Sequence, residues 1–177
     1  MMKLDWKIYS IIIGILLLAT MFIFLEKFFF FLIIVLATIL VALILGFAQP
    51  LKYIGIELVT ISTMIVGVVY GPIIGGAYAF TILPIHFMLG RYYIGTFVVW
   101  VIPEYILLGV LSGILGTGII GPLGVSLIVG LNLMSLFFTF IGESERVGKE
   151  IPYAIGNAII NSIIFIQFFR SIVNSIG

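Results

Sequence analysis

The sequence predicts an all-α fold, a polytopic bundle of transmembrane helices. Of its 177 residues, 63% are hydrophobic and only 8% are charged, whereas a soluble domain carries about 25% charged residues. The apolar residues also come in runs of about 20, the length that an α-helix needs to cross a hydrocarbon core of ~30 Å. We therefore expect an integral membrane protein with six core helices and one extra N-terminal helix.

The first two apolar segments, 8–25 and 28–48, are separated only by the charged pair Glu26–Lys27. Together they exceed 40 residues, which at 1.5 Å per residue is about twice the thickness of the hydrocarbon core. We therefore predict a hairpin at this pair. No small-residue signal-peptide cleavage site follows the first segment, so we expect it to be retained. The predicted organisation is an N-terminal transmembrane helix (1–27) followed by a six-helix membrane domain (28–177).

The next two segments are short, 56–70 and 73–89, and they meet at Gly71–Pro72. Proline has no N–H group and disfavours helical geometry in the residue before it. We therefore predict a tight hairpin, which returns Glu57 and Arg91 to the same face of the membrane.

Three more segments complete the predicted bundle. Segment five, 94–116, contains Pro103, which we expect to kink or locally unwind it. A glycine-rich turn leads into segment six, 119–141, and a charged loop, 142–152, leads into segment seven, 151–170.

Small residues recur at every fourth position, a spacing that lets helices approach closely in lipid. The three sets are Gly67, Gly71 and Gly75; Gly109 and Gly113; and Thr38, Ala42 and Gly46. The last set could serve a partner protein rather than the chain's own bundle.

Alternating spans divide the connections between two faces. The loop face comprises the N-terminus, 49–57, 90–93 and 142–150. The turn face comprises 26–27, 71–72, 116–119 and the C-terminus. Most polar residues inside the spans fall between mid-membrane and the loop face, so we predict a polar, aromatic-lined cup that opens there.

Glu104 is the most informative of these residues, since it lies about 15 Å deep in segment five. A carboxylate in hydrocarbon costs roughly 2.5 kcal/mol or more, so such groups face a bundle interior or a wet cavity. The alternative is a protonated Glu104 bonded to a backbone carbonyl that Pro103 leaves free. His86 could bind a ligand or cap a helix end, and asparagine often joins membrane helices to one another.

The predicted cup would suit a small, partly aromatic nutrient, with Trp and Tyr stacking on its ring and Glu104 accepting a cationic or N–H group. The candidate substrate-binding residues are Glu104, Trp100, His86, Asn157, Asn161, Arg91 and Tyr153.

Several kinds of chemistry are disfavoured. The absence of cysteine excludes disulfides and thiol catalysis, and one histidine leaves little for a metal site. No H-E-x-x-H, G-x-S-x-G or G-x-x-x-x-G-K-[ST] motif occurs. We expect no enzyme activity and no cofactor; a third hypothesis is an intramembrane enzyme that uses His86 with Glu104, Glu57 or a serine. The net charge of +1 argues against a nucleic-acid partner.

Two stretches resemble a known family. VVYGPIIGGAYAF (68–80) and the later helix carrying LLGVLSGILG (107–116) resemble the substrate-binding component of energy-coupling-factor (ECF) vitamin transporters, over roughly 28–175. The resemblance implies a plasma-membrane protein that captures a micronutrient in a pocket on the extracytoplasmic half. It also implies docking on a transmembrane coupling protein and a pair of ATPases. The family's pocket region corresponds here to the segments bearing Glu104, Asn157 and Asn161 and to the loops at Arg91 and 142–150.

Two features depart from that family. Its Ala-x-x-x-Ala docking pattern is absent, because Ala37 and Ala42 are five residues apart. The predicted faces also place most Lys and Arg at the loop face, which favours a cytoplasmic loop face, whereas the resemblance makes it external. The alternative function is a structural subunit of a larger membrane complex, similar to the MreD cell-shape proteins. That alternative predicts polar groups that pair with one another and leave no cavity.

Overall fold

The structure, a computed structural model, describes residues 6–92 and 94–174. The elements within these residues are all helical, which confirms the all-α fold. They are α1 (Trp6–Phe47), α2 (Gln49–Lys52), α3 (Val59–Tyr70), α4 (Pro72–Leu89), α5 (Val98–Gly142), α6 (Val147–Ile164) and α7 (Arg170–Asn174). A 3-10 turn (Ser144–Arg146) joins α5 to α6, and a π-helical turn (Phe165–Phe169) joins α6 to α7. In the described chain, four stretches are long and apolar enough to cross a membrane: Phe24–Phe47, Pro72–Leu89, Val98–Gly142 and Ser144–Val173.

The predicted hairpin at Glu26–Lys27 is wrong, because α1 continues through this pair without a break. Neither residue breaks a helix, and no glycine or proline stands beside them. At 1.5 Å per residue, the 42 residues of α1 extend about 63 Å. The predicted boundary at residue 27 therefore falls inside a helix rather than at a turn.

The second half of α1 packs along α3 and α4. Near its middle, the Tyr70 hydroxyl donates to the Lys27 carbonyl at 2.5 Å. Further along, the hydroxyls of Thr38 and Tyr78 lie 3.1 Å apart, and Gly46 lies against the Leu89 carbonyl. The small-residue set of α1 thus serves the chain's own bundle rather than a partner.

This register corrects the predicted position of the N-terminal end of α1. Because Lys27 is level with the turn face, residues 6–26 extend beyond that face instead of returning to the loop face. Lys7 moves with them, whereas Lys3 lies outside the described residues. In the described chain, basic residues now number four near the loop face (Lys52, Arg91, Arg146 and Lys149) and three on the other side (Lys7, Lys27 and Arg170). The excess of Lys and Arg at the loop face is therefore small and no longer favours a cytoplasmic loop face.

The hairpin predicted at Gly71–Pro72 is confirmed. Gly71 has a φ of 92°, a conformation that L side chains rarely adopt, and Pro72 is the first residue of α4. Beyond the turn, α3 and α4 pack closely on α5: a Cβ atom added to Gly75 would lie 2.6 Å from both the Gly109 carbonyl oxygen and the Gly67 Cα. Glycine spacing therefore sets this three-helix contact, as predicted.

Helix α5 is two antiparallel arms, 98–115 and 117–142, that fold back at Gly116. This residue has a non-helical backbone (φ 61°, ψ −175°), and contacts between the arms, such as Ser135 with Glu104, show that they lie side by side. Segments five and six are thus confirmed. The unwinding predicted at Pro103 is absent, because Pro103 lies early in the helix, where its missing N–H leaves free only the carbonyl of the exposed Val99.

Most of the predicted charged loop 142–152 is helical. Glu143 is its non-helical residue, after which the 3-10 turn and the first turns of α6 follow. Arg146 stabilises this path, because its guanidinium lies 3.4 Å from the Glu143 carboxylate and 3.6 Å from that of Glu150.

The connections assigned to the loop face do meet at one end of the bundle. The Lys52 ammonium donates to the Arg91 carbonyl at 3.0 Å. The Phe97 backbone N–H donates to Glu143 at 2.9 Å. These two bonds join the α2 region, the α4–α5 loop and the α5–α6 connection around a common opening.

Candidate functional site

A cavity of about 830 Å³ opens at the loop face, and we call it the bowl. Its wall comes from α2, the α4–α5 loop, the end of α5 and the start of α6. The lining residues are Lys52, Tyr53, Arg91, Tyr92, Gly142, Glu143, Ser144, Glu145, Arg146, Lys149, Glu150 and Tyr153. Charged residues and tyrosines therefore dominate the site, and the cup predicted at this face exists.

A second, smaller cavity of about 50 Å³ lies deeper in the bundle, and we call it the crevice. It shares Tyr92, Arg146, Glu150 and Tyr153 with the bowl. The other polar residues on its wall are Glu57, His86, Tyr105, Asn132 and Ser135, and the rest are apolar. Because one water takes about 30 Å³ of liquid volume, the crevice can hold a water or one functional group of a ligand, but not a whole nutrient molecule.

His86 is the crevice residue with the clearest unmet need for a partner. It lies in the last turn of α4, only 2% exposed, and within the described part of the chain neither of its ring nitrogens has a hydrogen-bond partner. A neutral imidazole has one donor nitrogen and one acceptor nitrogen. Leaving a buried polar group without a partner costs about 1–3 kcal/mol, so His86 offers a donor and an acceptor to whatever enters the crevice.

Tyr92 stands between His86 and the basic wall of the bowl. Its ring centroid lies 5.2 Å from that of His86, and the Lys52 ammonium lies 5.5 Å from the same Tyr92 centroid. Its hydroxyl is buried and has no hydrogen-bond partner in residues 6–92 and 94–174. Burial, and secondarily the charges of Glu57 and Glu150, raises the pKa of Tyr92 above its ordinary value of 10.0, so the hydroxyl stays protonated and can donate.

Lys52 forms the basic wall of the bowl at the end of α2. The residue is 7% exposed, and its ammonium donates to the Arg91 carbonyl and lies 5.3 Å from the centroid of the Tyr53 ring. Arg91 has a positive φ of 53°, and its guanidinium lies 5.7 Å from the Phe47 ring centroid. These contacts hold a charged pair of side chains beside the opening.

Glu57 forms a buried polar centre below the bowl. Its side chain caps the first turn of α3 by accepting from the Thr60 N–H at 3.0 Å and the Thr60 hydroxyl at 2.5 Å. The amides of Asn157 and Asn161 donate to it at 2.9 and 3.2 Å. A carboxylate at a helix N-terminus also interacts favourably with the helix dipole. Glu57 therefore has partners from α3 and α6 although it is only 1% exposed.

The two predicted site asparagines are used within this network. Asn157 also donates to the Gly55 carbonyl at 3.2 Å and accepts from Asn132 at 3.0 Å. Asn161 also donates to the Asn157 carbonyl at 3.1 Å, while its own side-chain oxygen has no partner. Neither residue lines the bowl or the crevice, so their contacts are those of residues that join helices.

Glu104 and Trp100 lie on the first arm of α5 and line neither cavity, although each contacts a residue that does. Glu104 accepts a hydrogen bond from the Ser135 hydroxyl, and its other oxygen is buried without a partner. Trp100 packs on Phe138, with ring centroids 6.4 Å apart. Glu104 is thus bonded to a side chain of the second arm rather than to a backbone carbonyl freed by Pro103.

The structure brings three of the seven predicted site residues to the cavities: His86, Arg91 and Tyr153. Lys52, Tyr92 and Glu57 line the cavities but are not among the predicted substrate-binding residues. The sequence does indicate Lys52, because this residue lies in the connection 49–57, which is predicted to lie at the loop face. Among the described residues, no group of three His, Asp or Glu side chains is arranged to hold a metal ion.

Comparisons with known proteins add no relative. No protein-family model matches the chain, and neither a curated protein nor a solved structure matches it. The function is therefore inferred from the residues and their geometry.

Proposed function

We propose that this chain is the membrane-embedded substrate-capture subunit of a micronutrient uptake transporter, of the ECF substrate-binding type, and that it binds a vitamin-like small molecule in the bowl. The observation that carries the proposal is the adjacency of the bowl and the crevice, which share the wall residues Tyr92, Arg146, Glu150 and Tyr153 and which together we call the path. On the crevice side, His86 and Tyr92 present buried polar atoms that have no hydrogen-bond partner among the described residues. An occupant of the path would satisfy them.

The size and lining of the bowl suit such a ligand. Ligand pockets enclose about 300–1,000 Å³, and the bowl lies within this range. Tyr53, Tyr92 and Tyr153 offer ring faces for stacking. Glu104, which the sequence predicted to contact the ligand, does not line either cavity.

Transport would require partner subunits. The sequence has no G-x-x-x-x-G-K-[ST] loop to bind ATP phosphates, so a transmembrane coupling protein and ATPase subunits would supply the energy. In this proposal the chain resides in the plasma membrane, where uptake takes place, and the bowl faces the outside.

Equilibrium binding of a panel of vitamins to the purified protein tests the proposal. A matched pair of variants locates the site. Tyr92→Phe removes the hydroxyl at the crevice, and Tyr70→Phe removes one at the turn face, where the hydroxyl bonds the Lys27 carbonyl. We expect Tyr92→Phe to weaken binding about tenfold, as the loss of one buried hydrogen bond does, and Tyr70→Phe to leave affinity unchanged. Equal affinity in both variants would rule out the crevice as part of the site.

One observation favours the alternative, a non-catalytic scaffold subunit of the MreD type. The network of Glu57, Asn157 and Asn161 pairs its polar groups with one another, as that alternative predicts. A scaffold would bind none of the panel while remaining folded, and it would co-purify with integral membrane partners. The bowl is the feature that this alternative leaves without a purpose.

A further inference from the structure

We infer that the ligand carries an acidic group, a carboxylate or a phosphate, which Lys52 binds with help from Arg91, and an uncharged hydrogen-bonding group, which contacts His86 in the crevice. This inference rests on the proposed function and names the chemical class of its substrate.

The ammonium of Lys52 has hydrogen-bond donors available to an anion. An ammonium has three N–H donors, and the hydrogen bond that the structure gives Lys52 goes to the Arg91 carbonyl. The other contacts of its ammonium are the faces of Tyr53 and Tyr92. In the described chain, no carboxylate lies within ion-pairing distance of it. Lys52 is 7% exposed as a residue and lines a cavity without a carboxylate partner among the described residues, an arrangement that favours an anion in that cavity.

Two of the three acidic residues of the bowl already bond other protein groups. Arg146 pairs with both Glu143 and Glu150. Glu143 also accepts from the Thr96 hydroxyl and the Phe97 N–H. The basic groups of the bowl outside these ion pairs are Lys52, Arg91 and Lys149, whereas the corresponding acidic group is the exposed Glu145. The wall at Lys52 and Arg91 therefore has a positive excess.

The opposite end of the path is the crevice at His86. The crevice wall around His86 is apolar at Leu83, Phe87, Phe97 and Val101, and its charged residues, Glu57, Arg146 and Glu150, already bond other protein groups. A further charge placed there without a partner would be costly. An uncharged group with a donor or an acceptor satisfies His86 at no such cost. Because the Tyr92 ring lies beside both His86 and Lys52, one small molecule lying on that ring can reach both ends.

Paired probes that differ only in the acidic group test this inference. We would measure equilibrium binding of nicotinate against nicotinamide, biotin against biotinamide, pantothenate against pantothenol, and pyridoxine phosphate against pyridoxine. The protein would be in nanodiscs of phosphatidylcholine alone. For the pair that binds, we expect the acidic member to bind about tenfold or more tightly, the gain of one charge-assisted hydrogen bond.

Three variants assign that preference to Lys52. Lys52→Met keeps an unbranched stem but removes the charge, so it should abolish the preference. Lys52→Arg keeps the charge and should retain it, which also shows that the position tolerates substitution. Lys27→Met is the matched control at the turn face and should leave the preference intact.

The outcomes separate this inference from the proposed function. Tighter binding of the uncharged member of a pair, weakened by Tyr92→Phe, would overturn the acidic group and leave the capture function standing. Failure of every soluble probe to bind folded protein, together with no lipid retention that depends on Lys52, would overturn both.

An anionic lipid headgroup offers the same chemistry as an acidic nutrient. A second arm therefore measures retention of phosphatidylglycerol by native mass spectrometry. Lipid retention that Lys52→Met abolishes, without binding of any soluble acid, would support the anion site and contradict the capture function.

Discussion

The side-chain amide of Asn157 donates a 2.9 Å hydrogen bond to the carboxylate of Glu57, a residue 100 positions earlier in the chain. This bond joins α6 to the start of α3 at a point where both side chains are buried. Because Glu57 lines the crevice, the same bond fixes part of the crevice wall. The integrity of the site therefore depends on a contact that lies outside it.

Asn157→Ala should lower the free energy of unfolding by about 1–3 kcal/mol, because it leaves a buried carboxylate with one donor fewer. Unfolding of the purified protein in detergent, followed by circular dichroism, measures the change. Gln167→Ala is the control, since Gln167 is exposed on the π-helical turn. Equal stability of the two variants would show that the Glu57 contact contributes little.

Gly75→Ala should destabilise the bundle, because the added methyl group would lie 2.6 Å from the Gly109 carbonyl oxygen and from the Gly67 Cα. Backbone atoms cannot move aside as a flexible side chain can, so we expect a loss of about 1–3 kcal/mol from overpacking. Gly130→Ala is the matched control in α5, where nothing lies within 4 Å of the new methyl. Thermal unfolding of the two variants should separate them. A Gly75→Ala protein as stable as Gly130→Ala would contradict the close approach of α3, α4 and α5.

Glu143 should make the rim of the bowl sensitive to pH. The Thr96 hydroxyl is the main cause that lowers the pKa of this carboxyl below its ordinary value of 4.5, helped by the Phe97 N–H and by Arg146. A depressed pKa in the folded state means that the contribution to stability is present above pH ~4.5 and is lost as pH falls through the folded-state pKa. Hydrogen exchange at the Phe97 amide, corrected for the intrinsic rate, should therefore accelerate at acidic pH. Glu143→Gln should remove this acid-induced step, and its persistence in that variant would assign it to another group.

Single cysteines can establish the two faces, since the chain contains no native cysteine. Ser144 and Thr117 are both exposed small polar residues, at the loop face and at the turn face respectively. We expect a membrane-impermeant maleimide to label Ser144→Cys and Thr117→Cys from opposite sides of the membrane. Labelling of both from one side would refute the arrangement of α5 as two spans.

The same assay tests the continuity of α1. With α1 unbroken at Glu26–Lys27, a tag placed ahead of it should be accessible from the side of Thr117. With a hairpin at that pair, the tag would be accessible from the side of Ser144. Protease removal of the tag from sealed vesicles of each orientation distinguishes the two arrangements.

Local signals in the sequence were sufficient for the turns and the helix contacts that depend on special residues. Gly71–Pro72 predicted its hairpin because proline and a glycine at positive φ act on the backbone directly. The four-residue glycine spacing predicted the approach of α3, α4 and α5 for a similar local reason. Glu26–Lys27 misled the prediction because charge alone does not break a helix. Pro103 misled it because the effect of proline depends on how close it lies to the helix end.

The composition and the order of the polar residues thus determined an all-α membrane bundle whose hydrophilic groups gather near one end. Tertiary structure alone decided which of those groups bond one another and which remain free. Glu57 and Asn157 meet although 100 residues separate them, while the buried ring nitrogens of His86 find no hydrogen-bond partner among the described residues. Pairing between distant residues depends on how the helices rotate and cross, and a periodicity along one helix contains no information about that rotation.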